Sequence, residues 1–422
     1  MAIIRPFAAY RPAQGKEQIV ASLPYDVYSR EEARVYVSQH PDSFLSVDRA
    51  ETGLPAGTDI YAPEVYRKAH ERLEEMKANG LFVRDQAPCF YLYEQTFNGR
   101  TQTGVVGCAS IDDYLNNVIR KHENTVEEKE QDRIHHVDAC NAQTGPIFLA
   151  HRHNEAVEEI KNRIRQTDPV CDFVSTDDRN PEMIHKVRNR IWVIRDAEDI
   201  QALGRAFAMI RRIYIADGHH RCASAVKVGL QRREAARKAG TFSGREAFNF
   251  FLSVFFSEDE LEIMDYNRVV KDLGGLDRSE ILSLLKRRFM VRPCKSEIAV
   301  PSRKGEIGMY IADSWYLLTA KNEIKSGDPV RGLDVSLLQE HVLEPVFGIT
   351  DPRTDHRIEF TGGIWGPETL RKKADACGGC AFSMYPTSIR ELFAVADAGR
   401  LMPPKSTWFE PKLLSGLFIH SF

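Results

Sequence analysis

Two short phrases concentrate the side chains that could carry chemistry. The first is Asp217-Gly218-His219-His220-Arg221, which follows the apolar run 213–216 and opens a long helix-forming stretch. Gly218 lets the chain turn sharply or approach a ligand closely, and the free N–H groups of a helix start point at whatever lies above the turn. Such an end favours anions. His219 and His220 add donors at the same place, Arg221 suits bidentate contact with phosphate or carboxylate, and Asp217 is poised to hold a metal or a ligand hydroxyl. An Asp-Gly pair alone is more often just a turn with a capping aspartate. Two histidines and an arginine after it shift the balance toward a site.

The second phrase is Lys121-His122-Glu123-Asn124-Thr125. A carboxylate beside an imidazole can take the proton of an attacking hydroxyl, and phosphoryl transfer asks little more of a base, since its catalysis is mainly positioning and charge neutralisation. By itself the phrase reads as the start of a solvated helix; an anion-binding turn elsewhere in the chain makes Glu123 a candidate base and His122 its companion. Three further phrases could line the same pocket. Thr144-Gly145 sits in a polar turn before the apolar run 146–150, Asn267 and Arg268 offer an amide and a guanidinium, and Lys405-Ser406-Thr407 stands in a loop fixed by Pro404. Each is also ordinary loop chemistry. No metal-ligand set is expected. Cys377 and Cys380 have CxxC spacing but no second pair, and neither His135-His136 nor His151 with His153 has the i, i+4 helical spacing of a metal pair.

The elements that must hold these residues are legible in outline. Ser29 with Glu32 forms a capping box, and 61–80 carries helical spacing at Val65, Ala69, Leu73 and Met76 before Gly80. The runs 89–97 and 101–111 flank Asn98-Gly99, the pair a tight primed turn prefers, and read as a hairpin. The charged stretch after it predicts a solvated helix ahead of the strand 146–150. Helices are expected at 154–165, 197–210 and 220–239, with strands between them, then at 279–289 and 387–398. Alternating strands and helices make the fold class α/β (α+β). The expected organisation is an N-terminal α/β region (1–86), a core carrying the two phrases (87–255) and a C-terminal α/β region (256–422).

Composition narrows the functional classes. The chain has 422 residues, with 57 Lys and Arg nearly cancelling 60 Asp and Glu for a net charge of -3, so the basic field of a dedicated nucleic-acid binder is absent. No segment approaches the roughly 18 consecutive apolar residues of a membrane span. Eight scattered cysteines and an opening interrupted by Arg5, Pro6, Arg11 and Pro12 read as reduced thiols in a cytoplasmic protein.

At this level the sequence resembles a family. IADGHHR preceded by KHENT, with PYDV and SFLSVDR near the start and MPPKSTWFEPK near the end, looks like the domain-of-unknown-function family numbered 1015, over nearly the whole chain. That family is similar to the ParB/sulfiredoxin superfamily, which implies a core of that type with large N- and C-terminal elaborations. Within the superfamily, free-serine kinases share a His-Glu pair followed by an Asp-Gly-x-His-Arg turn. The resemblance implies phosphoryl transfer involving free L-serine or O-phosphoserine, with Mg2+ and with ADP, ATP or pyrophosphate as donor, in either direction. It implies Glu123 as general base, His122 as a phosphate contact, Asp217 at the nucleotide or metal, and Gly218, His219, His220 and Arg221 as a phosphate cradle. Here the two motifs stand much further apart than in those kinases, and Cys222 follows Arg221 where an aromatic residue is usual. The rival readings are a ParB-like nucleotide-dependent binding module, which lacks a helix-turn-helix signature here, and a phosphoserine phosphatase using the same residues. A sulfiredoxin-like redox enzyme would need a cysteine inside the turn, where His219 stands.

Overall fold

A computed structural model describes residues 1–177, 183–294 and 298–422. The chain divides into two compact units, Met1–Leu261 joined by Pro411–Phe422, and Glu262–Glu410. The stretches 1–86 and 87–255 both lie in the first unit, to which the chain returns at its C-terminus.

The first unit is built on a mixed sheet of nine strands among the described residues. In chain order these are β1 (Ile4–Arg5), β2 (Phe90–Phe97), β3 (Arg100–Ser110), β4 (Ile119–Arg120), β5 (Ile147–His151), β6 (Cys171–Asp177), β7 (His185–Ile194), β8 (Ile213–Asp217) and β9 (Phe250–Ser257). Across the sheet they run β4-β8-β5-β9-β3-β2-β7-β6, with β1 on β3. Asn98 and Gly99 both have positive φ, 49° and 78°, as the primed hairpin turn between β2 and β3 requires. β8, the strand that delivers the Asp-Gly turn, lies parallel to β4 and antiparallel to β5, so both sequence phrases leave the sheet in one neighbourhood.

Helices α1 (Pro63–Ala78), α2 (Glu127–Cys140), α3 (Glu155–Ile164), α4 (Ala197–Ala208) and α5 (His219–Lys238) accompany this sheet. The period-two alternation of the strands sends Phe90, Leu92, Trp192, Ile194, Ile213, Ile215, Phe251 and Phe255 to one face. There they meet Val157 and Ile160 of α3, Leu203 and Phe207 of α4, and Cys222, Ala225 and Val226 of α5. Each fully buried Phe, Leu or Ile contributes roughly 1.5–3 kcal/mol. On the opposite face Tyr91 and Tyr93 pack on Phe418 of the returning C-terminal segment, with ring centroids 5.2 and 6.0 Å apart.

Two expectations are corrected here. KHENT does not start a helix: 121–126 is a loop between β4 and α2. Nor is α2 a solvated helix. Its residues Glu130, Arg133, Ile134, His136, Val137 and Cys140 are buried, because helical spacing gathers them on a stripe packed against α1 and α5.

The second unit contains a six-stranded sheet of β10 (Tyr266–Val270), β11 (Phe289–Cys294), β12 (Glu306–Ile311), β13 (Ser314–Ala320), β14 (Ile358–Gly362) and β15 (Cys380–Met384), in the order β11-β13-β12-β15-β10-β14. Leu370 and Ala374, from the helix Gly366–Cys377, pack on Val269, Tyr310 and Ala381. The whole is an α/β fold, and no described helix is long and apolar enough to cross a membrane.

Candidate functional site

The apolar strand β8 runs buried until Asp217, its pairing with β5 turning irregular between Ile215 and Asp217. Gly218 then takes φ 93° and ψ 33°, and α5 begins at His219. This left-handed conformation is the one glycine adopts without steric cost. The Gly218 N–H donates to Asp217 Oδ1 at 2.7 Å, while Lys412 Nζ reaches Asp217 Oδ2 at 3.3 Å. Burial pushes the Asp217 carboxyl up, but Lys412 and Arg221 together with these hydrogen bonds more than reverse it, holding it well below the usual range and ionised. Arg221 folds back over the turn. A Cβ on Gly218 would lie 3.1–3.2 Å from its guanidinium, and Nη1 donates to the Pro146 carbonyl at 2.6 Å.

Beside this turn the loop after β4 brings His122 and Glu123 to His219. The rings of His122 and His219 meet edge to face, centroids 4.6 Å apart. Ring nitrogens of both and a carboxylate oxygen of Glu123 all lie within 4.8 Å of one another. The imidazoles are 2% and 8% exposed, and Nδ1 of His122 and Nε2 of His219 have no hydrogen-bond partner. Burial pulls His122 down to about 4, against the opposing influence of Asp217 and a hydrogen bond with the Ile215 backbone. Burial and then the neighbouring His122 push His219 well below its ordinary value. Both rings are therefore neutral at pH 7. Sequence spacing predicts no metal-ligand set, and the fold brings together three side chains that could hold an ion, because a strand-to-helix turn and a distant loop supply them jointly rather than one helix or one CxxC.

Arg221 also forms one wall of a small pocket open to solvent. The polar lining includes Tyr25, Asp48, Arg133, His136, Thr144 and Ser415. Asp48 is 4% exposed and accepts the Thr144 hydroxyl at 2.8 Å. The Arg133 guanidinium stacks on Tyr25, 4.0 Å from the ring centroid, and is paired to Asp132. Burial lowers the Arg133 pKa, but Tyr25, Asp132 and Asp48 outweigh it, so the cation is kept. A buried carboxylate thus faces the same space as two guanidiniums.

Of the residues singled out from sequence, His122, Glu123, Asp217, Gly218, His219 and Arg221 come together, and Thr144 and Gly145 line the adjoining pocket. His220 Nε2 accepts the Val126 N–H at 3.0 Å, tying the start of α2 to α5. Asn267, Arg268, Lys405, Ser406 and Thr407 lie in the second unit. There Asn267 Oδ1 accepts the Met384 N–H at 2.8 Å, Arg268 donates to the Lys405 carbonyl at 2.9 Å, and the Ser406 hydroxyl donates to the Pro403 carbonyl at 2.6 Å. Sequence reasoning passed over Asp48, Arg133 and Lys412. Asp48 and Lys412 stand inside the quoted phrases SFLSVDR and MPPKSTWFEPK, and Arg133 recurs at helical spacing with Ile134 and Val137.

Mg2+ asks for oxygen ligands. Both Asp217 oxygens are engaged, by the Gly218 N–H and by Lys412, and Glu123 shares its place with two imidazoles. These residues do not fit Mg2+ as an ion held by the protein. Cys222, next to Arg221, is fully buried and its thiol is pushed up by that burial, the opposite of a reactive thiolate. Cys377 is exposed and Cys380 is buried in β15, and neither forms a disulfide.

Among solved structures, the chain is similar to a point mutant of a free serine kinase in complex with ADP, at 15% identity and TM-score 0.34, covering 74% of this chain and 88% of that one. It is similar to a conserved hypothetical protein from Pyrococcus furiosus at 15% identity and TM-score 0.32, covering 74% and 94%. It is also similar to SbnI with C-terminal truncation from Staphylococcus aureus, at 12% identity and TM-score 0.36, covering 73% and 85%. The comparison with curated proteins returns no match. The family described as "Protein of unknown function (DUF1015)" matches residues 4–336, and the chain belongs to that family.

Proposed function

We propose that the protein transfers a phosphoryl group to or from the hydroxyl of free L-serine, on a core of the ParB/sulfiredoxin type. The observation that carries the reading is the arrangement around Arg221. This one guanidinium lies against the Asp217-Gly218 helix start and also walls the pocket that holds Asp48 and Arg133, while Glu123 stands with His219 of the same helix start.

A free amino acid needs an anion for its ammonium and a cation for its carboxylate. Asp48 and Arg133 supply both, already buried and oriented, so little reorganisation is left for binding. The phosphates of ADP, ATP or pyrophosphate would lie at the start of α5, where free N–H groups, Arg221 and Lys412 offset negative charge. Glu123 would accept the serine hydroxyl proton as the oxygen attacks the terminal phosphorus. The new O–P bond forms as the bond to the leaving phosphate breaks, and the departing oxygen keeps the electron pair. Run backwards with water or a phosphate as acceptor, the same groups would consume O-phosphoserine.

The purified full-length chain should be incubated with Mg2+, L-serine and ATP, ADP or pyrophosphate in turn, and separately with O-phosphoserine, with phosphoserine followed by mass spectrometry. Formation or loss of phosphoserine is expected under at least one condition, and Glu123→Gln should lower the rate by roughly 10²–10⁴. No change in phosphoserine under any condition would end this reading, and an undiminished rate in the variant would remove Glu123 from the role of base.

A further inference from the structure

We infer that His122, Glu123 and His219 form a two-histidine, one-carboxylate site for a divalent transition-metal ion. The inference goes beyond the phosphoryl-transfer reading and does not depend on it, because it concerns binding rather than turnover; with an ion bound, the base would have to be the Glu123 oxygen that does not ligate.

The argument begins with two nitrogens that have nothing to do. Nδ1 of His122 and Nε2 of His219 are buried without a hydrogen-bond partner, on rings only 2% and 8% exposed. An unsatisfied buried polar group costs about 1–3 kcal/mol, so a fold that carries two side by side is under pressure to give them a shared partner. The neighbouring Glu123 carboxylate identifies that partner as a cation: ligand atoms of all three residues lie within 4.8 Å of one another. Ligands about 2.1 Å from a common ion lie roughly 3–3.5 Å apart, so the triad needs to close by only an ångström or so.

The surroundings fit a metal site as well. The His122 ring is hydrogen-bonded to the Ile215 backbone, the kind of outer contact that fixes the orientation of a ligating imidazole. Two imidazoles with one carboxylate match Mn2+, Fe2+, Co2+ or Zn2+ rather than Mg2+, whose preference is for oxygen alone. Because His219 opens α5, a bound ion would sit beside the helix start and strengthen its attraction for anions.

The test uses the full chain, stripped with a chelator and titrated with Co2+ while the visible spectrum is recorded, then with Mn2+ and Zn2+ in competition. One Co2+ per chain is expected, with a visible spectrum showing nitrogen ligation. Affinity should fall at least tenfold in each of His122→Gln, His219→Gln and Glu123→Gln, and a hundredfold excess of Mg2+ should not displace the ion. Thermal melts separate loss of the site from loss of the fold. Without metal the glutamine variants should melt with or above the wild type, and added Zn2+ should raise only the wild-type melting temperature. The exposed His153, which contacts Glu155 and Asp259, is the natural place for adventitious binding, so His153→Ala should leave the stoichiometry at one. No bound Co2+, unchanged affinity in His219→Gln, loss of the ion in His153→Ala or its displacement by a hundredfold excess of Mg2+ would each overturn the assignment.

Discussion

Replacing Gly218 with alanine, and Gly145 beside it as a control, separates backbone geometry from crowding. Gly218 sits at φ 93°, where an L residue is strained by roughly 1–2 kcal/mol. Its new methyl would meet Arg221 Nε, Cζ and Nη2 at 3.1–3.2 Å, and the bond from that side chain to the Pro146 carbonyl resists its retreat. Against this, alanine restricts the unfolded chain and returns about 0.4–1 kcal/mol. The net expectation is a loss of about 1–3 kcal/mol, which for a unit of this size lowers Tm by roughly 2–5 °C. Gly145→Ala differs in kind. Its methyl would lie 3.4 Å from Ser415 Oγ and 3.5–3.6 Å from Arg221, ordinary contacts, so its stability should stay within about 0.5 kcal/mol of wild type. Differential scanning calorimetry measures the stability difference, and titration with pyrophosphate reports Arg221. A displaced guanidinium should weaken pyrophosphate binding about tenfold, or 1.4 kcal/mol, in Gly218→Ala. Equal Tm shifts from the two alanines, or none from Gly218→Ala, would refute the assignment of strain to the turn.

Two other perturbations address different parts of the molecule. Asp48→Asn keeps an acceptor for the Thr144 hydroxyl but removes the charge proposed to meet the substrate ammonium, so KM for L-serine should rise roughly 10–100-fold, the worth of one charged hydrogen bond, with pyrophosphate affinity unchanged. A KM that does not move would remove Asp48 from substrate recognition. In the second unit, burial pushes the Asp334 carboxyl up to about 7 although the Gly305 N–H and Lys304 pull it down. The unfolded carboxyl titrates near 3.9, so between about pH 4 and 7 the folded state holds a proton that the unfolded state has lost. Stability from this group is complete below pH 4 and falls as pH rises to 7, by about 4 kcal/mol at 1.36 kcal/mol per pH unit. Denaturant midpoints at pH 4.5 and 8 should therefore converge in Asp334→Asn; the same pH dependence in variant and wild type would show that another group is responsible.

What the sequence revealed of the site, and what it hid, follows from how local each signal is. The Asp217-Gly218 turn was legible because its cause is local: an apolar strand, a residue free to take positive φ, and a helix start within a few positions. The hairpin at Asn98-Gly99 was legible for the same reason. Glu123 could be named for its chemistry while its setting was misjudged, since charge density says nothing of whether a segment continues as helix or as the loop between β4 and α2. The charges on α2 misled more deeply. Glu130, Arg133 and Val137 recur at helical spacing, and a charged residue on such a stripe signals a satisfied interior rather than a solvated face. Arg133 meets that condition through its neighbour Asp132 and through Tyr25 and Asp48 from distant parts of the chain, and no pattern within α2 points to those last two. The histidine cluster is the limiting case. A metal motif is recognised by spacing because its ligands usually share one element, whereas His122 and His219 reach each other only because β8 pairs with β4 and delivers its helix beside the loop that β4 releases. Sheet topology thus encodes this constellation, and residue types alone name its members without revealing that they meet.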